Sequence, residues 1–550
     1  MLTSPIYGII PPLLIVSAFI LPLISIFIKS KKFYDLYALL INIVVLMLSI
    51  IILIDVYKAE NPIIYPFGGW PPPIGIVYEI DRLNGFLGFV AVFVMFMVVL
   101  YSWWYTGEMD EKSIAYYYTL LLGLEAGVTG CIYTGDAFNL FVMLEVLSIS
   151  AYGLVAFYRN KPQAVEASIK YSMVGIIATA LYFFAVILLY GAYGTLNMAD
   201  LALKSRAQSL GLSMFMDWFT LSGGFYGDIV ATTAVALAIA FWAFMVKSAL
   251  FPNHFWLLDA HPEAPAPVSA ILSGVVVNVG IYAVIRFVYT IFGQESVLGG
   301  LRNAFGIVFI VLGGLGAVIT ALLMAVQKDV KRLLAYSTVQ HVCLIYMALG
   351  TGIVYPEASG VVLAATMLHI LNHSIGKSML FMSTGVLIRI ANSRDIDRLI
   401  GSGRIAPIAG LATVIGALHL LGLPPLAGFF SKLYMYNAYL SVNQPILAIL
   451  LVLATAISVM GYAKLLIMGV AKPLRKIEVD VKSLPTISAS LVLTIMTVSC
   501  IVISILLLSI PYIPISNLWD KLMVVAKDAT NFNSYISSFI NAWQSILGVK

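Results

Sequence analysis

Long apolar runs recur along almost the whole chain, and they limit its fold more than any other feature. A helix that crosses a bilayer needs about 20 mainly apolar residues, and the sequence contains fourteen such segments. Hydrophobic residues make up 61% of the 550 residues and charged residues only 10%, whereas soluble chains carry about 25% charged residues. The sequence therefore predicts an all-α, polytopic membrane protein with about fourteen transmembrane helices, and excludes disordered, fibrous and disulfide-rich proteins. The predicted spans lie near residues 8–28, 35–55, 84–104, 114–134, 136–158, 168–191, 229–251, 267–290, 302–325, 332–350, 360–388, 408–440, 444–468 and 485–510.

The Lys and Arg residues of the connections predict how the chain is oriented, because cytoplasmic loops are enriched in both. The odd-numbered connections and the adjoining span ends hold 17 of these residues, and the even-numbered ones hold six. We therefore expect the odd connections in the cytoplasm and both termini outside. The first apolar run has no basic region before it and no plausible cleavage site, which favours a retained first span over a signal peptide.

Two spans contain helix-breaking residues in an apolar context. Phe-Pro-Asn-His at 251–254 ends the seventh span, and Leu-Gly-Leu-Pro-Pro at 421–425 lies within the twelfth. Proline removes an amide donor and clashes with the preceding turn, so both helices should break there. Each break falls in the fourth helix of a five-helix group, and a group with an odd number of helices inverts its topology. Paired breaks of this kind indicate a transporter's ion site; the alternative is two unrelated proline kinks.

These features divide the chain into four regions. Residues 1–112 hold helices 1–3, residues 113–291 the first repeat (helices 4–8), residues 301–470 the inverted second repeat (helices 9–13), and residues 471–550 helix 14 and a tail. Apolar residues recur in the tail at helical spacing, which predicts an amphipathic helix on the outer surface; a tail packed on a neighbouring subunit is the alternative. The apolar residues are Leu518, Leu522, Val525, Phe532, Ile536, Phe539, Ile540, Trp543 and Leu547.

Five lysines fall inside predicted spans, where a charge at the helix centre costs about 2.5–3.5 kcal/mol. Lys247, Lys377 and Lys432 lie beside a break or deep in a span, and we expect them to act in ion movement. Lys170 and Lys464 lie near span ends, where a long side chain can also extend to the interface. For these two lysines both interpretations stay open.

Two glutamates are predicted at the same depth. Glu145 lies about ten residues, or roughly 15 Å at 1.5 Å per residue, beyond the turn at 134–136, which puts it near the bilayer midplane. Glu125 lies about ten residues before the same turn on the antiparallel helix. If the carboxylates face each other, one of them holds its proton, because two like charges in a low dielectric disfavour joint ionisation. A protonated Glu125 hydrogen-bonded to a neighbouring helix is the alternative.

Histidines in the second half suit a proton relay. His369, His373 and Lys377 repeat every four residues and share one helix face, and imidazole both gives and takes a proton near neutral pH. His341 in the tenth span is a further candidate, and His254 follows the first break. The same spacing could bind zinc, but no Glu or Cys in that segment completes a metal site, so no metal is predicted.

No cofactor and no nucleic-acid partner are predicted. Cys131, Cys343 and Cys500 stand singly in apolar runs without Cys-x-x-Cys spacing, so neither an iron–sulfur cluster nor a zinc site is expected. The formal charge of +5 is spread over turns rather than gathered on one face, as a nucleic-acid site would need.

Motifs over roughly residues 80–440 resemble those of the D subunits of Mrp-type cation/proton antiporters. The most specific is Lys-Ser-Ala-Leu-Phe-Pro-Asn-His-Phe-Trp-Leu-Leu-Asp-Ala-His-Pro-Glu-Ala-Pro-Ala-Pro-Val at 247–268. Gly-Asp-Ala-Phe-Asn-Leu-Phe-Val-Met-Leu-Glu at 135–145 is similar to their fifth-helix motif, and Ala-Ser-Ile-Lys-Tyr at 167–171 to their sixth. Further matches are Arg-Leu-Leu-Ala-Tyr-Ser at 332–337, Leu-Asn-His at 371–373, and Gly-Leu-Pro-Pro at 422–425 through Gly-Phe-Phe-Ser-Lys at 428–432.

The resemblance implies a fold, partners and residue roles. The same family includes antiporter-like subunits of respiratory complex I, of membrane-bound hydrogenases and of related sulfur-reducing complexes, so it implies fourteen helices with two inverted five-helix repeats. It also implies other membrane subunits as partners, together with iron–sulfur and nickel–iron or related redox subunits. Glu145 and Lys247 would form a gating ion pair, His341 and His373 would be relay members, and Lys432 would be the distal proton donor or acceptor.

Asn278 is a departure from the family pattern. Many relatives carry Lys or His in the eighth helix where this chain has Asn278, within Gly-Val-Val-Val-Asn-Val-Gly at 274–280. Asparagine cannot be protonated, so water ordered by Asn278, or a detour through His369, would have to replace a direct side-chain relay.

The leading hypothesis is therefore a subunit that moves protons, or exchanges protons for sodium, across a prokaryotic cytoplasmic membrane within a multisubunit redox-driven complex. The D subunit of a stand-alone Mrp-type sodium/proton antiporter is the alternative. We expect no enzyme activity in the chain itself. A quinone pocket lacks a supporting motif, and a purely structural anchor is supported by Asn278 but opposed by the intact Glu145, Lys247 and Lys432. Sodium and protons stay equally open, because side-chain type alone does not determine ion selectivity.

Overall fold

The computed structural model describes residues 4–206, 228–473, 477, 480–508 and 517–547, with only the backbone described for 542–547. Its main helices are α1 (Ile10–Ile24), α2 (Lys31–Lys58), α3 (Arg82–Tyr105), α4 (Glu111–Tyr133), α5 (Ala137–Val155), α6 (Pro162–Tyr193), α7 (Ile229–Lys247), α8 (Ala266–Ile291), α9 (Leu301–Ala325), α10 (Val330–Val354), α11 (Ser359–Ala391), α12 (Pro407–Leu421), α13 (Ala427–Ser441), α14 (Pro445–Val470), α15 (Ile487–Leu507), α16 (Leu518–Thr530) and α17 (Phe532–Leu547). Short helices span Met198–Lys204, Phe255–Glu263, Ile396–Leu399 and Ser402–Ile405, and two strands are β1 (Ile63–Pro66) and β2 (Val77–Ile80). Single 3₁₀ turns span Pro5–Tyr7, Phe67–Gly69, Thr106–Glu108, Pro356–Ala358 and Val481–Ser483.

The helices have the lengths that membrane crossing requires. In the part of the chain that the structure describes, eleven helices are long and apolar enough to span a bilayer, and α1 and α12 are shorter apolar helices. Each of the fourteen predicted segments contains helix. The predicted polytopic helical membrane fold is therefore confirmed, and α10 and α11 form its buried centre, packed against each other.

Both predicted helix breaks are present. The first separates α7 from the short helix Phe255–Glu263, and the second separates α12 from α13. Gly422 has a φ of 83°, a left-handed conformation that glycine adopts without steric cost. The amides of Gly422 and Leu423 bond back to the carbonyls of His419 and Leu418 at 3.2 and 3.1 Å, which is a Schellman helix end. The break is therefore encoded by the glycine as well as by the prolines that follow.

Backbone contacts join the described parts of connections 2, 4, 6 and 8 at one end of the bundle, which we call the hairpin end. β1 and β2 pair antiparallel there, from Ile63 opposite Ile80 to Pro66 opposite Val77. This hairpin is a small departure from the all-helical expectation. A backbone bridge joins Tyr78 to the turn between α4 and α5.

The tail also lies at the hairpin end, where its apolar face packs on the chain itself. It forms two helices, α16 and α17, rather than one. Leu522 and Val525 of α16 are fully buried, and Asp528 forms an ion pair with Arg82 at 2.9 Å. The predicted contributions of the Trp543 and Leu547 side chains lie outside the described residues.

The odd-numbered connections meet at the opposite end. Arg394, which follows α11, pairs with Glu263 at 2.9 Å and with Asp329 at 3.2 Å, and Arg389 pairs with Glu108 at 3.1 Å. These ion pairs join the connections that follow helices α3, α7, α9 and α11. All four belong on one side of the bundle, because successive helices cross the membrane in opposite directions.

Candidate ion pathway

The first helix break places Lys247 between α7 and α5. α7 ends at Lys247, and Ala249 just beyond it has a φ of 56°. Ser248 Oγ is hydrogen-bonded to the Tyr346 hydroxyl of α10 at 2.8 Å, which anchors the irregular backbone in protein, as backbone at membrane depth requires. The Lys247 side chain is buried, and its Nζ donates to Ser148 Oγ of α5 at 2.7 Å.

Glu145 lies one helical turn before Ser148 on α5 and is half-buried. Its carboxylate interacts electrostatically with the Lys247 ammonium. The direct ion pair implied by the resemblance is not formed between these two described residues, because Lys247 bonds to Ser148 instead. The structure therefore holds the pair in an open arrangement, with the two charges close but separated.

Glu125 lies apart from this pair. It is fully buried on α4 and contacts Asn42 of α2 rather than Glu145. Neither its carboxyl oxygens nor the Asn42 Oδ1 has another hydrogen-bond partner within the described ranges. Glu125 is therefore not paired with Glu145, and a protonated Glu125 between helices stays a prediction.

Helix α8 carries Asn278 between two π-helical turns, Leu272–Val276 and Arg286–Ile291. Wider turns of this kind are frequent at functional sites. The Asn278 side-chain amide donates to Gly274 O at 2.8 Å and to Ser374 Oγ of α11 at 2.9 Å. Asn278 and Ser374 also line a cavity of about 10 Å³ beside α3, close to the smallest volume that holds one water. Asn278 therefore links α8 to α11 through a hydroxyl rather than through a charge.

Within the predicted second repeat, Lys377 of α11 begins a run of direct hydrogen bonds. Its Nζ donates to Ser337 Oγ of α10, and Ser337 Oγ is hydrogen-bonded to the Tyr462 hydroxyl of α14. The same hydroxyl lies 2.9 Å from His341 Nε2. All four side chains are buried.

The run continues through a histidine pair. His341 Nδ1 lies 2.9 Å from His369 Nε2, and His369 Nδ1 lies 3.0 Å from Ser431 Oγ of α13. Neither ring nitrogen of His373 has a hydrogen-bond partner in the described part of the chain, although its ring lies 5.6 Å from that of His341. We call Lys377, Ser337, Tyr462, His341, His369 and Ser431 the second-repeat chain.

Lys432 lies at the second helix break. Its Nζ donates to the carbonyls of Leu420 and Leu421 at 3.1 and 2.9 Å. These are among the last carbonyls of α12, which a helix leaves without intrahelical partners and where a cation is stabilised. Lys432 follows Ser431 directly, so the break brings a buried ammonium next to the end of the second-repeat chain.

Two predicted pathway residues lie away from this arrangement. Lys170 is 48% exposed and forms ion pairs with Glu166 at 2.8 Å and Asp259 at 3.1 Å, which agrees with the interpretation of a side chain that extends to the interface. His254 Nδ1 contacts Pro252 O at 3.2 Å, within the first break.

The hydroxyl groups are the site residues that the sequence did not indicate. Ser148, Ser337, Ser431 and Tyr462 connect the charged and imidazole groups. Ser337 and Ser431 lie inside the motifs at 332–337 and 428–432, and those motifs are the sequence signal that could have indicated them. Nothing in the spacing along the chain indicates Ser148 or Tyr462, because each bond joins different helices.

Comparison with known proteins places this arrangement in a family. The family model described as NADH:quinone oxidoreductase/Mrp antiporter, TM matches residues 134–458, which include both helix breaks. The chain belongs to this family. Its members are antiporter-like membrane subunits, as the motifs at 135–145 and 247–268 imply, so the resemblance found in the sequence is confirmed.

Individual relatives of this antiporter-like subunit have two kinds of name. The chain is 32% identical to the D subunit of the Na(+)/H(+) antiporter of Alkalihalophilus pseudofirmus over 424 residues, which cover 74% of this chain and 76% of the relative. It is 31% identical to the N subunit of the NADH-quinone oxidoreductase of Desulforudis audaxviator over 404 residues, which cover 73% of this chain and 74% of that relative.

Two solved structures share its fold. A chain in the structure of the membrane-bound sulfane sulfur reductase, an archaeal respiratory membrane complex, matches with a TM-score of 0.83 at 28% identity, covering 98% of this chain and all of that one. A chain of the Mrp complex from Dietzia sp. DQ12-45-1b matches with a TM-score of 0.80 at 20% identity. The match covers 98% of this chain and 99% of that one.

Proposed function

We propose that this subunit carries protons across a prokaryotic cell membrane, with both termini outside, along side chains between α5 and α13. The observation that supports this most is the second-repeat chain, which begins at Lys377 and ends beside Lys432. Ionisable groups inside a membrane are costly and mark ion routes. Here they are joined by groups that donate and accept protons.

Glu145 and Lys247 form the gate of this route. In the open arrangement Lys247 bonds to Ser148, and a shift of its ammonium by one helical turn along α5 would bring it to Glu145. A direct pair about 4 Å apart is about 4 kcal/mol more stable than fully separated charges at an effective dielectric of 20, and closing the gate from the open arrangement gains part of this energy. Closing the pair would therefore hold a proton on Lys247, and opening it would release that proton towards Asn278 and the second repeat.

The energy source is proposed to lie in partner subunits. The family resemblance and the likeness to a chain of a respiratory membrane complex at 28% identity support a place among other membrane subunits, with iron–sulfur and nickel–iron or related redox subunits attached. In that case this chain performs ion movement and its partners perform electron transfer.

A sodium/proton exchanger without redox partners is the second candidate. The 32% identity to the D subunit of a Na(+)/H(+) antiporter supports it. Purification in mild detergent followed by mass spectrometry separates the two candidates. Co-purified iron–sulfur subunits support the redox-driven complex, and small membrane subunits alone support the exchanger.

The variant Glu145→Gln tests the transport function. The complex, purified with its native partners, is sealed into vesicles that contain a pH-sensitive dye, and proton movement is started by the electron donor of the partners or by a sodium gradient. We expect Glu145→Gln to assemble normally and to lose most proton movement, because a neutral amide cannot close the gate. Glu357→Gln, an exposed carboxylate outside the pathway, is the matched control. Unchanged transport in Glu145→Gln contradicts the proposal.

A further inference from the structure

The hydrogen bonds of the second-repeat chain share one direction, which the last member sets. Ser431 Oγ lies 3.0 Å from the Gly428 carbonyl, which can only accept. When Ser431 donates its single hydrogen there, it must accept from His369 Nδ1–H. A neutral imidazole has one donor and one acceptor, so His369 Nε2 then accepts from His341 Nδ1–H, and His341 Nε2 accepts from Tyr462.

The upstream half follows the same direction. Tyr462 donates its only hydrogen to His341, so its oxygen accepts from Ser337. Ser337 in turn accepts from Lys377 Nζ, which has three donors when charged and no acceptor. Each group between the two ends is therefore both a donor and an acceptor, and the direction runs from an ammonium to a serine beside Lys432.

We propose that the Tyr462 hydroxyl is the obligatory link that passes protons between Lys377 and the His341–His369 pair. This inference rests on the proposed transport function and adds a residue to it. The Tyr462 oxygen is the atom that contacts both Ser337 and His341. His373, one of the two relay members implied by the family resemblance, has no described hydrogen bond through which to receive the proton.

The transfer balances without any further reactant. Lys377 gives a proton to Ser337 Oγ, Ser337 gives its own to the Tyr462 oxygen, Tyr462 gives its own to His341 Nε2, and His341 gives the Nδ1 proton to His369 Nε2. Lys377 ends as a neutral amine and His369 as an imidazolium that donates to Ser431. Every hydrogen bond between Lys377 and His369 is then reversed, so the hydroxyls and His341 must reorient before the next proton can pass.

Tyr462→Phe removes the linking hydroxyl and keeps the ring in the fully buried site. We expect it to assemble and to reduce the turnover of proton transport by about a hundredfold or more, the lower end of the range for loss of a positioned proton-transfer group. The half-saturating driving gradient should stay as in the wild type. The ratio of rates in H₂O and D₂O should rise, because the interrupted transfer becomes the slow step, and a purely structural lesion would not raise it. Tyr439→Phe is the matched control, since Tyr439 is buried and its hydroxyl has no hydrogen-bond partner in the described residues.

A second pair of variants serves if Tyr462→Phe fails to assemble. Ser337→Thr keeps the hydroxyl, whereas Ser337→Val has nearly the same shape as the threonine variant and lacks it. We expect the threonine variant to transport about a hundredfold faster than the valine variant.

The outcomes separate this inference from the transport function. Normal turnover in Tyr462→Phe, or equal turnover in the two Ser337 variants, together with a block in Glu145→Gln, overturns the Tyr462 link and leaves the transport function standing. Normal turnover in Tyr462→Phe and in Glu145→Gln overturns both.

Discussion

Lys432 and Lys464 both donate hydrogen bonds to carbonyls at the end of a helix. Lys432 bonds to Leu420 and Leu421 at the end of α12, and Lys464 bonds to Ala325 and Gln327 at the end of α9. Of these two lysines, Lys432 is the one that adjoins the second-repeat chain. Comparing these two lysines therefore distinguishes the effect of capping a helix from the effect of moving a proton.

We expect Lys432→Gln to abolish most proton transport, because the amide can still donate to the carbonyls but cannot take up a proton. Lys464→Gln should retain transport and lose at most about 1 kcal/mol of stability from the weaker cap. The measurement is dye-reported proton movement in vesicles, with thermal unfolding as the stability check. Equal transport by the two variants would assign Lys432 to capping alone.

The two histidines one turn apart on α11 have different surroundings. His369 bonds to His341 and Ser431, whereas both His373 nitrogens lack partners in the described part of the chain. We expect His369→Gln to reduce proton transport more than His373→Gln, since only the former interrupts the second-repeat chain. The comparison uses the same vesicle assay at equal complex content. A larger loss in His373→Gln would place the relay on the family's implied residue.

At the scale of the element, the end of α12 positions Lys432. Gly422 adopts a φ of 83°, and a Cβ added there would lie 3.1 Å from Lys432 Cδ. The helix break after α12 and the position of the buried Lys432 side chain therefore both depend on Gly422.

Gly422→Ala should destabilise the protein by about 1–2 kcal/mol, the cost of a left-handed conformation for a residue with a Cβ, and should lower transport by displacing Lys432. Gly107→Ala is the control, because a Cβ at Gly107 meets no atom within 4 Å and its φ is not left-handed. Thermal unfolding of the two variants checks the difference. Equal midpoints would show that the break tolerates a side chain.

Helix α8 contains a different irregularity. Its two π-helical turns flank Asn278, whose amide bonds to Gly274 O within the helix and to Ser374 across to α11. An uncharged amide at this point passes no proton by itself. The adjacent cavity of about 10 Å³ supports the expectation that water ordered by Asn278 completes the connection between the repeats.

At the scale of the whole molecule, the hairpin end joins β2, α3, α8 and the tail around buried charges. Arg286 of α8 pairs with Asp81 at 2.7 Å, and Arg286 also lies 5.0 Å from the ring of Tyr535 of α17. Glu79 of β2 is almost fully buried beside them. Burial raises the pKa of Glu79 to about 8, Asp81 adds to the shift, and Arg286 and Tyr535 oppose it.

The pKa of Glu79 predicts how stability depends on pH. From its ordinary value of 4.5 up to about 8, the folded state binds this proton and the unfolded state has lost it, so stability should fall as the pH rises through that window. Glu79→Gln should remove this part of the pH dependence. The check is the unfolding temperature of the complex between about pH 5 and 9, with the exposed Glu60→Gln as control. An unchanged slope in Glu79→Gln would mean that Glu79 is ionised in the folded protein.

The sequence by itself determined the features that depend on local chemistry. Apolar run length predicted the fourteen helical segments, and the Phe-Pro-Asn-His and Leu-Gly-Leu-Pro-Pro motifs predicted both breaks. The cost of charge in a membrane singled out Lys247, Lys377 and Lys432. The segments and the breaks were predictable because span length, backbone breaking and desolvation each depend on a few residues that adjoin along the chain.

Only the tertiary structure decided which groups touch. Ser337 and Tyr462 are 125 residues apart. The sequence around a serine or tyrosine in an apolar helix does not indicate which residue its side chain will contact. Lys247 contacts Ser148 rather than Glu145. His341 bonds to His369, whereas the family resemblance implied His341 and His373 as the relay members. The physical reason is that a hydrogen bond requires atoms from two helices about 3 Å apart, so helix rotation and packing determine the partners.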